Sequence, residues 1–296
     1  MEEVSPNYLN WSDVPYAGED HPPSSPVEPT AGSWTMHYIR PTKRGGFETL
    51  AGKPIRLAIQ HPNRVDFQRE LTDVHRALDQ LTPHQKTLAE YWGAGPPTKQ
   101  WTPIVDRLID TYQVEAPRAA RILACFHAGI NDAFVVAWTL KYRWLVARPN
   151  QYDQELVTAI CTPEHPTYPS GHAVVSGAAE EILSYFFPAE RKRIRGFALE
   201  NAQSRLYGGV HFPSDNNQGL RVGRQIGRVV VDEIRNNRDS DGHMIDVPYH
   251  RSRHAELMPP PYEQVIPFDF NAPCKSLVEP AYVQKPTHLP KPKLYI

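Results

Sequence analysis

A chain of 296 residues, 40% hydrophobic and 22% charged, has apolar material for one large core or two small ones, which excludes a wholly disordered protein. Its 32 Lys and Arg against 33 Asp and Glu leave a net charge of -1, so no general field draws nucleic acid or a charged membrane surface, and any anion site must be built locally. Cys125, Cys161 and Cys274 form no CxxC pair and read as three free thiols, which argues against a disulfide framework or a cysteine-held zinc and fits a reducing compartment.

The N-terminus, MEEVSPNYLNWSDVPYAGED, is acidic and lacks the basic and apolar regions of a secretory signal, so the expected location is the cytoplasm. Of 30 prolines, nine fall in residues 1–62 and ten in residues 239–296. Two extended arms are therefore expected there, flanking a catalytic domain over residues 63–238. Trp11, Trp34, Tyr38, Phe47, Tyr262, Phe268 and Phe270 give the arms apolar surface to lay on the core. No run alternates as a strand between turn signals, and no internal repeat is visible.

Between the arms the pattern is helical. Phe67, Leu71, Val74 and Leu78 recur at helical spacing, and the next helix opens with Thr82 as N-cap and Pro83 in its first position. TPIVDRLIDTY repeats that opening with Thr102 and Pro103. Pro117 begins a long helix, apolar on most faces and hence central, that runs through Lys141 and Arg148 until Pro149 stops it. His127, Asn131, Asp132, Lys141, Tyr142 and Arg143 make its apolar window too polar for a membrane span, so no membrane partner is expected. Further helices run from about His172 to Phe187, Pro188 to Ser204 and Asp215 to Asn236, completing an all-α helical bundle of seven helices.

The segment HPTYPSGH places His165 and His172 around a Ser-Gly pair at a helix start. Ser170 reads as the N-cap of a helix that buries Val174, Ala178, Ile182 and Phe186. The same stretch offers a hydroxyl, the unobstructed Gly171 amide and the His172 imidazole where the helix dipole favours negative charge. Lys141 and Arg148, seven residues apart, fall on one face of the long helix and can reach a common anion. In SRLYGGVHFPSD, a Gly208-Gly209 turn lets Arg205 and His211 point inward together. Asp215, four residues after His211, can take the imidazole Nδ1 proton and leave Nε2 with a lone pair. Combined, Lys141, Arg148, Ser170, Gly171, His172, Arg205, His211 and Asp215 make a cage for a tetrahedral oxyanion, with one histidine to bond the central atom and another to handle protons on an apical oxygen.

The pattern K-x6-RP, PSGH and SR-x5-H-x3-D resembles the three-part signature of the superfamily that unites type-2 phosphatidic acid phosphatases, bacterial class A acid phosphatases and vanadium-dependent haloperoxidases. Every member stands between residues 141 and 215. The resemblance implies that Lys141, Arg148, Arg205, Ser170 and the Gly171 amide neutralise the equatorial oxygens of phosphate or vanadate, while Asp215 orients His211. His211 would be the nucleophile of a phosphatase or the axial, metal-binding ligand of vanadium in a peroxidase. His172 would protonate a leaving alkoxide or bind the apical oxygen or peroxide. The family also sets an Asp against that acid-base histidine, and the sequence assigns no residue to that place, Asp132 included.

With no span read in the sequence, the multi-span lipid phosphatases are set aside. Trp138, the aromatic run YWGAGPPTKQW and His165 are similar to haloperoxidases, His165 to bromide-oxidising members in particular. The implied function is oxidation of bromide or iodide by hydrogen peroxide with vanadate as cofactor; phosphate can occupy the same site. A soluble phosphatase acting on a phosphate ester through a phosphohistidine is the alternative. Familiar haloperoxidases are similar to two stacked four-helix bundles, whereas this chain fills one, so a homo-oligomer is one implied source of the second.

Overall fold

Caps fix where the first helices begin. In the computed structural model, which describes residues 5–257, 262–266 and 274–278, α1 (Phe67–Asp79) starts at Asp66, whose carboxylate accepts from the Arg69 amide at 3.0 Å. Thr82 caps α2 (Pro83–Gly93) through a capping box with Gln85. α3 (Thr98–Thr111) begins a turn earlier than its Thr102-Pro103 signal suggested, so Pro103 lies inside it. The extra turn buries Gln100 and Trp101, and the Thr102 hydroxyl donates to the Thr98 carbonyl at 2.8 Å instead of capping.

α4 (Ala116–Trp144) is the long central helix, but it stops before Arg148. Leu145 takes a left-handed conformation with φ of 50° and returns its N–H to the Lys141 carbonyl. Arg148 is therefore not on the helix face of Lys141; it is the extended residue preceding the short α5 (Pro149–Tyr152). By length and composition alone α4 is, among the described residues, the one helix long and apolar enough to cross a membrane, a test that a buried core helix also meets. Ile122, Phe126, Ile130 and Val136 are buried in the main core, where α4 packs on α6 (Gly171–Phe186) and α8 (Pro213–Ile234). α7 (Arg191–Tyr207) lies against α6 and α2.

The closest approach in the bundle is α6 on α8. A Cβ on Gly223 would lie 1.9 Å from the Val174 carbonyl oxygen, and one on Gly177 would lie 2.5 Å from that of Leu220, so only glycine lets the two backbones meet. This contact sets the start of α6, with Ser170, beside the start of α8, with Asp215. The Ser170 amide donates to the Asp215 carbonyl at 3.0 Å.

A small antiparallel sheet, β1 (Ile39–Pro41), β2 (Phe47–Thr49) and β3 (Pro54–Ile55), occupies the N-terminal arm where no strand was expected. Strands of two or three residues are too short to show alternation, yet Ile39 and Phe47 are buried in the main core. Trp11 is buried as well, Tyr38 and Tyr262 are half-buried, and Trp34 stays 49% exposed. Phe268 and Phe270 lie outside the described residues. Asp132 holds this arm, accepting from the His37 and Tyr38 amides at 2.9 and 2.7 Å.

Cys161 and Cys274 form a disulfide across 113 residues, which corrects the reading of three free thiols and removes the argument for a reducing compartment that rested on it. Among the described residues Cys125 is free and buried. The segment around Cys274 is also held by backbone hydrogen bonds, Leu277 N–H to the Ala17 carbonyl and Thr158 N–H to the Leu277 carbonyl.

Candidate active site

Lys141, in the last turn of α4, and Arg148, beyond its cap, converge from different elements on one loop. The Lys141 ammonium donates to the carbonyls of Pro166 and Thr167 at 2.6 and 2.9 Å, and Arg148 Nε donates to that of His165 at 2.9 Å. Both side chains are fully buried. Arg148 Nη1 also donates to the Val210 carbonyl at 2.7 Å and to His211 Nε2 at 3.1 Å, while Nη2 reaches His165 Nδ1 at 2.9 Å. Because the guanidinium can only donate, His211 Nε2 and His165 Nδ1 are the lone-pair nitrogens of their rings.

That tautomer leaves the His211 Nδ1–H to donate to Asp215 Oδ2 at 2.9 Å. The same oxygen accepts from the Phe212 amide at 2.9 Å and from the Thr167 hydroxyl at 2.5 Å. Thr167 Oγ1 lies 3.0 Å from His211 Nδ1, so it braces both members of the pair. Thr167 was missed in the sequence: a loop threonine carries no spacing signal. Gly209, with φ of 73°, makes the turn from α7 that returns Val210 and His211 to the site.

Arg205 approaches from α7. It is 2% exposed, and its Nε and Nη1 have no acceptor. Gly93 leaves room for it, since a Cβ there would lie 3.0 Å from Nη1. Ser170 caps α6 through a long 3.4 Å hydrogen bond from the Ala173 amide. Gly171 fits under Trp138, where a Cβ would sit 3.2 Å from Cζ3. His172 Nε2–H donates to the Trp92 carbonyl at 3.1 Å, leaving Nδ1 as its lone-pair nitrogen. Asp132 is thus engaged with the N-terminal arm, and the partner of His172 is a backbone oxygen in the aromatic run.

Three buried cations face one buried carboxylate. Burial and Arg148 hold Lys141 well below the lysine range, and the same two causes lower Arg205 to about 9. Burial, with Arg148 and Lys141 adding repulsion, keeps His211 well below the usual imidazole range. His172 is lowered by burial and Arg205, and His165 by burial and Lys141. Burial raises Asp215 against the pull of Thr167 and the Phe212 amide. Unpaired buried donors and excess positive charge are the complement of a bound oxyanion. Among the described residues no cluster of three His, Cys, Asp or Glu offers a cation site, so vanadium would fit here only as an oxyanion held by donors and one imidazole.

Beside the cage, His165 lies against Trp138 with ring centroids 5.0 Å apart, and the Trp138 indole donates to the Val27 carbonyl. A cleft of about 510 Å³ opens above His165, Gly171, His172 and Arg205.

A family model described as the PAP2 superfamily matches residues 122–239, the stretch that contains every cage residue. Over these residues the chain is similar to the PAP2 superfamily. Comparison with curated proteins finds no match. Among solved structures, the chain is similar to a bacterial vanadium-dependent iodoperoxidase, with 23% identity over 75% of this chain and 59% of that one and a TM-score of 0.57. It is also similar to the apo form of a bacterial vanadium-dependent chloroperoxidase, with 16% identity, 79% and 63% coverage and a TM-score of 0.57. At these identities the likeness is one of fold, and the chain spans about three fifths of each relative, 59% and 63%.

Proposed function

We propose that the protein is a vanadate-dependent haloperoxidase that oxidises bromide or iodide with hydrogen peroxide. The observation that carries this reading is a cage with more imidazole than phosphoryl transfer requires: besides His172 and His211, His165 bonds Arg148 and lines the cleft floor against Trp138. When bound, vanadate supplies a centre that makes peroxide oxygen electrophilic toward halide without changing its own oxidation state. Lys141, Arg148, Arg205, Ser170 and the Gly171 amide would hold its oxygens, and His211 Nε2, fixed by Asp215, would face its central atom. An anion there competes for the Arg148 donor that now points at His211 Nε2. His172, with Nδ1 free to accept a proton, serves as acid and base at the cleft side. His165, kept neutral by burial and the neighbouring cations, can take a proton near the cage as its charge is balanced.

A second reading, a phosphatase working through a phosphohistidine, is favoured by the His211–Asp215 pair, which also orients a nucleophile. One experiment separates the two. Phosphate-free protein is loaded with orthovanadate and given peroxide and bromide, and bromination of a dimedone dye is followed beside p-nitrophenyl phosphate hydrolysis by vanadate-free protein. Vanadate-dependent bromination, suppressed by phosphate, is expected, and His211→Ala should abolish it with helical content intact. Hydrolysis inhibited by vanadate, with no bromination or iodination, would overturn the haloperoxidase reading.

A further inference from the structure

Peroxide and halide are molecules of one or two heavy atoms, but the cleft above the cage has a volume of about 510 Å³. Cavities of roughly 300–1,000 Å³ are the size that seats organic ligands. Its walls are aromatic and apolar: Trp34, Phe134, Val135, Trp138 and Pro97. Phe134 and Trp138 meet edge to face at 5.5 Å, and Trp138 continues onto the His165 ring, so an aromatic surface runs down to the cage. At the mouth Trp34 leaves 49% of its surface in solvent, where a ligand ring can stack on it.

The polar side chains of the lining are Glu28, Asn131, His165, His172 and Arg205. Glu28 is exposed at the mouth and disfavours an anionic ligand body, while Asn131 Nδ2 is already bonded to the Thr35 carbonyl. At the floor, the unpaired donors of Arg205 belong to the oxyanion, which leaves the His165 and His172 imidazoles as the polar groups facing the cleft. A ligand matched to this surface is uncharged and aromatic, with its reacting edge toward His172.

Resting on the haloperoxidase reading, we infer that the cleft seats an uncharged, electron-rich aromatic substrate that is halogenated in place. The ring exchanges a C–H bond for a C–X bond: ring, halide, hydrogen peroxide and one proton give the halogenated ring and two waters. Peroxide is the oxidant and takes two electrons as its O–O bond breaks; the ring proton leaves in the second water. In-place reaction distinguishes this from release of a free hypohalous species, which attacks whatever it meets in solution.

The full-length protein is titrated calorimetrically with 2-naphthol in the absence of vanadate, and the vanadate-loaded protein is then given 2-naphthol and a dimedone dye in competition for bromination. Wild type is expected to bind 2-naphthol and to brominate it in preference to the dye beyond the ratio that added hypobromite gives. Trp34→Ala should weaken binding about tenfold, or ~1.4 kcal/mol, and shift the competition toward the dye by a similar factor, with Trp34→Phe restoring most of both. Phe134→Ala, which also removes a lining ring, should act in the same direction. Dye bromination without 2-naphthol binding, or product ratios equal to those of free hypobromite, would overturn the inference and leave the haloperoxidase reading standing. Binding of 2-naphthol with no bromination of either acceptor, and hydrolysis of 2-naphthyl phosphate, would overturn both.

Discussion

Arg205 is 2% exposed, and two of its three nitrogens lack an acceptor. A buried guanidinium in that condition destabilises the fold, by several kcal/mol in order of magnitude, unless an anion completes it. Thermal stability of the wild type should therefore rise with phosphate or vanadate, by about 2.7 kcal/mol at a hundred times the dissociation constant. Arg205→Met should lose most of that gain while the anion-free variant is no less stable than wild type; an unchanged anion shift, read by scanning calorimetry, would remove Arg205 from the cage. The cations, the Ser-Gly-His tripeptide and the His211–Asp215 spacing were legible because their chemistry is carried by residue type. Thr167 was not, because its part depends on a loop meeting His211 from 44 residues away. The Trp92 carbonyl was invisible for a different reason: a backbone acceptor leaves no mark in a side-chain pattern.

Helix starts at Asp66 and Thr82 could be read from capping residues, whereas the end of α4 could not, since a left-handed leucine carries no glycine signal. The consequence was Arg148, placed by sequence on the face of Lys141 and by structure on a separate turn that still reaches the same loop. What holds those parts in register is the glycine contact of α6 with α8, which sets Ser170 beside Asp215. Gly223→Ala would drive a Cβ to 1.9 Å from the Val174 carbonyl and must push the helices apart. Its expected cost is at least ~3 kcal/mol of stability, the upper end of ordinary overpacking, together with loss of anion binding. Gly196→Ala, on the exposed face of α7 with nothing within 4 Å, should instead stabilise by about 0.5–1 kcal/mol. Urea unfolding of the two variants checks both signs, and equal effects would mean that the α6–α8 contact is not the tight one.

Across the whole molecule, the bundle was visible in helical periodicity, but the disulfide joining Cys161 to Cys274 was not, because three cysteines without a close pair give no sign of partners 113 residues apart. The charge balance was equally hidden: a net charge of -1 says nothing of three cations gathered around one carboxylate. That gathering makes the fold sensitive to acid. His165, His172 and His211 are all held below the ordinary histidine value of 6.5, so below that pH the unfolded chain takes up protons that the folded chain refuses. Asp215 opposes this, since burial raises it above 3.8 and the folded chain keeps a proton there that the unfolded chain has lost. Three histidines outweigh one aspartate, and the anion-free protein should lose stability as pH falls from 6.5 toward 5. A bound oxyanion favours protonated imidazole and offsets the crowded cations, so the loss should be shallower in saturating phosphate. His165→Gln, which removes one of the three groups without touching the His211–Asp215 pair, should also flatten the slope. Unfolding free energies measured in urea at pH 5, 6 and 7 test the sign directly: stability that is level or rising toward pH 5 would mean that these imidazoles are already protonated in the folded protein.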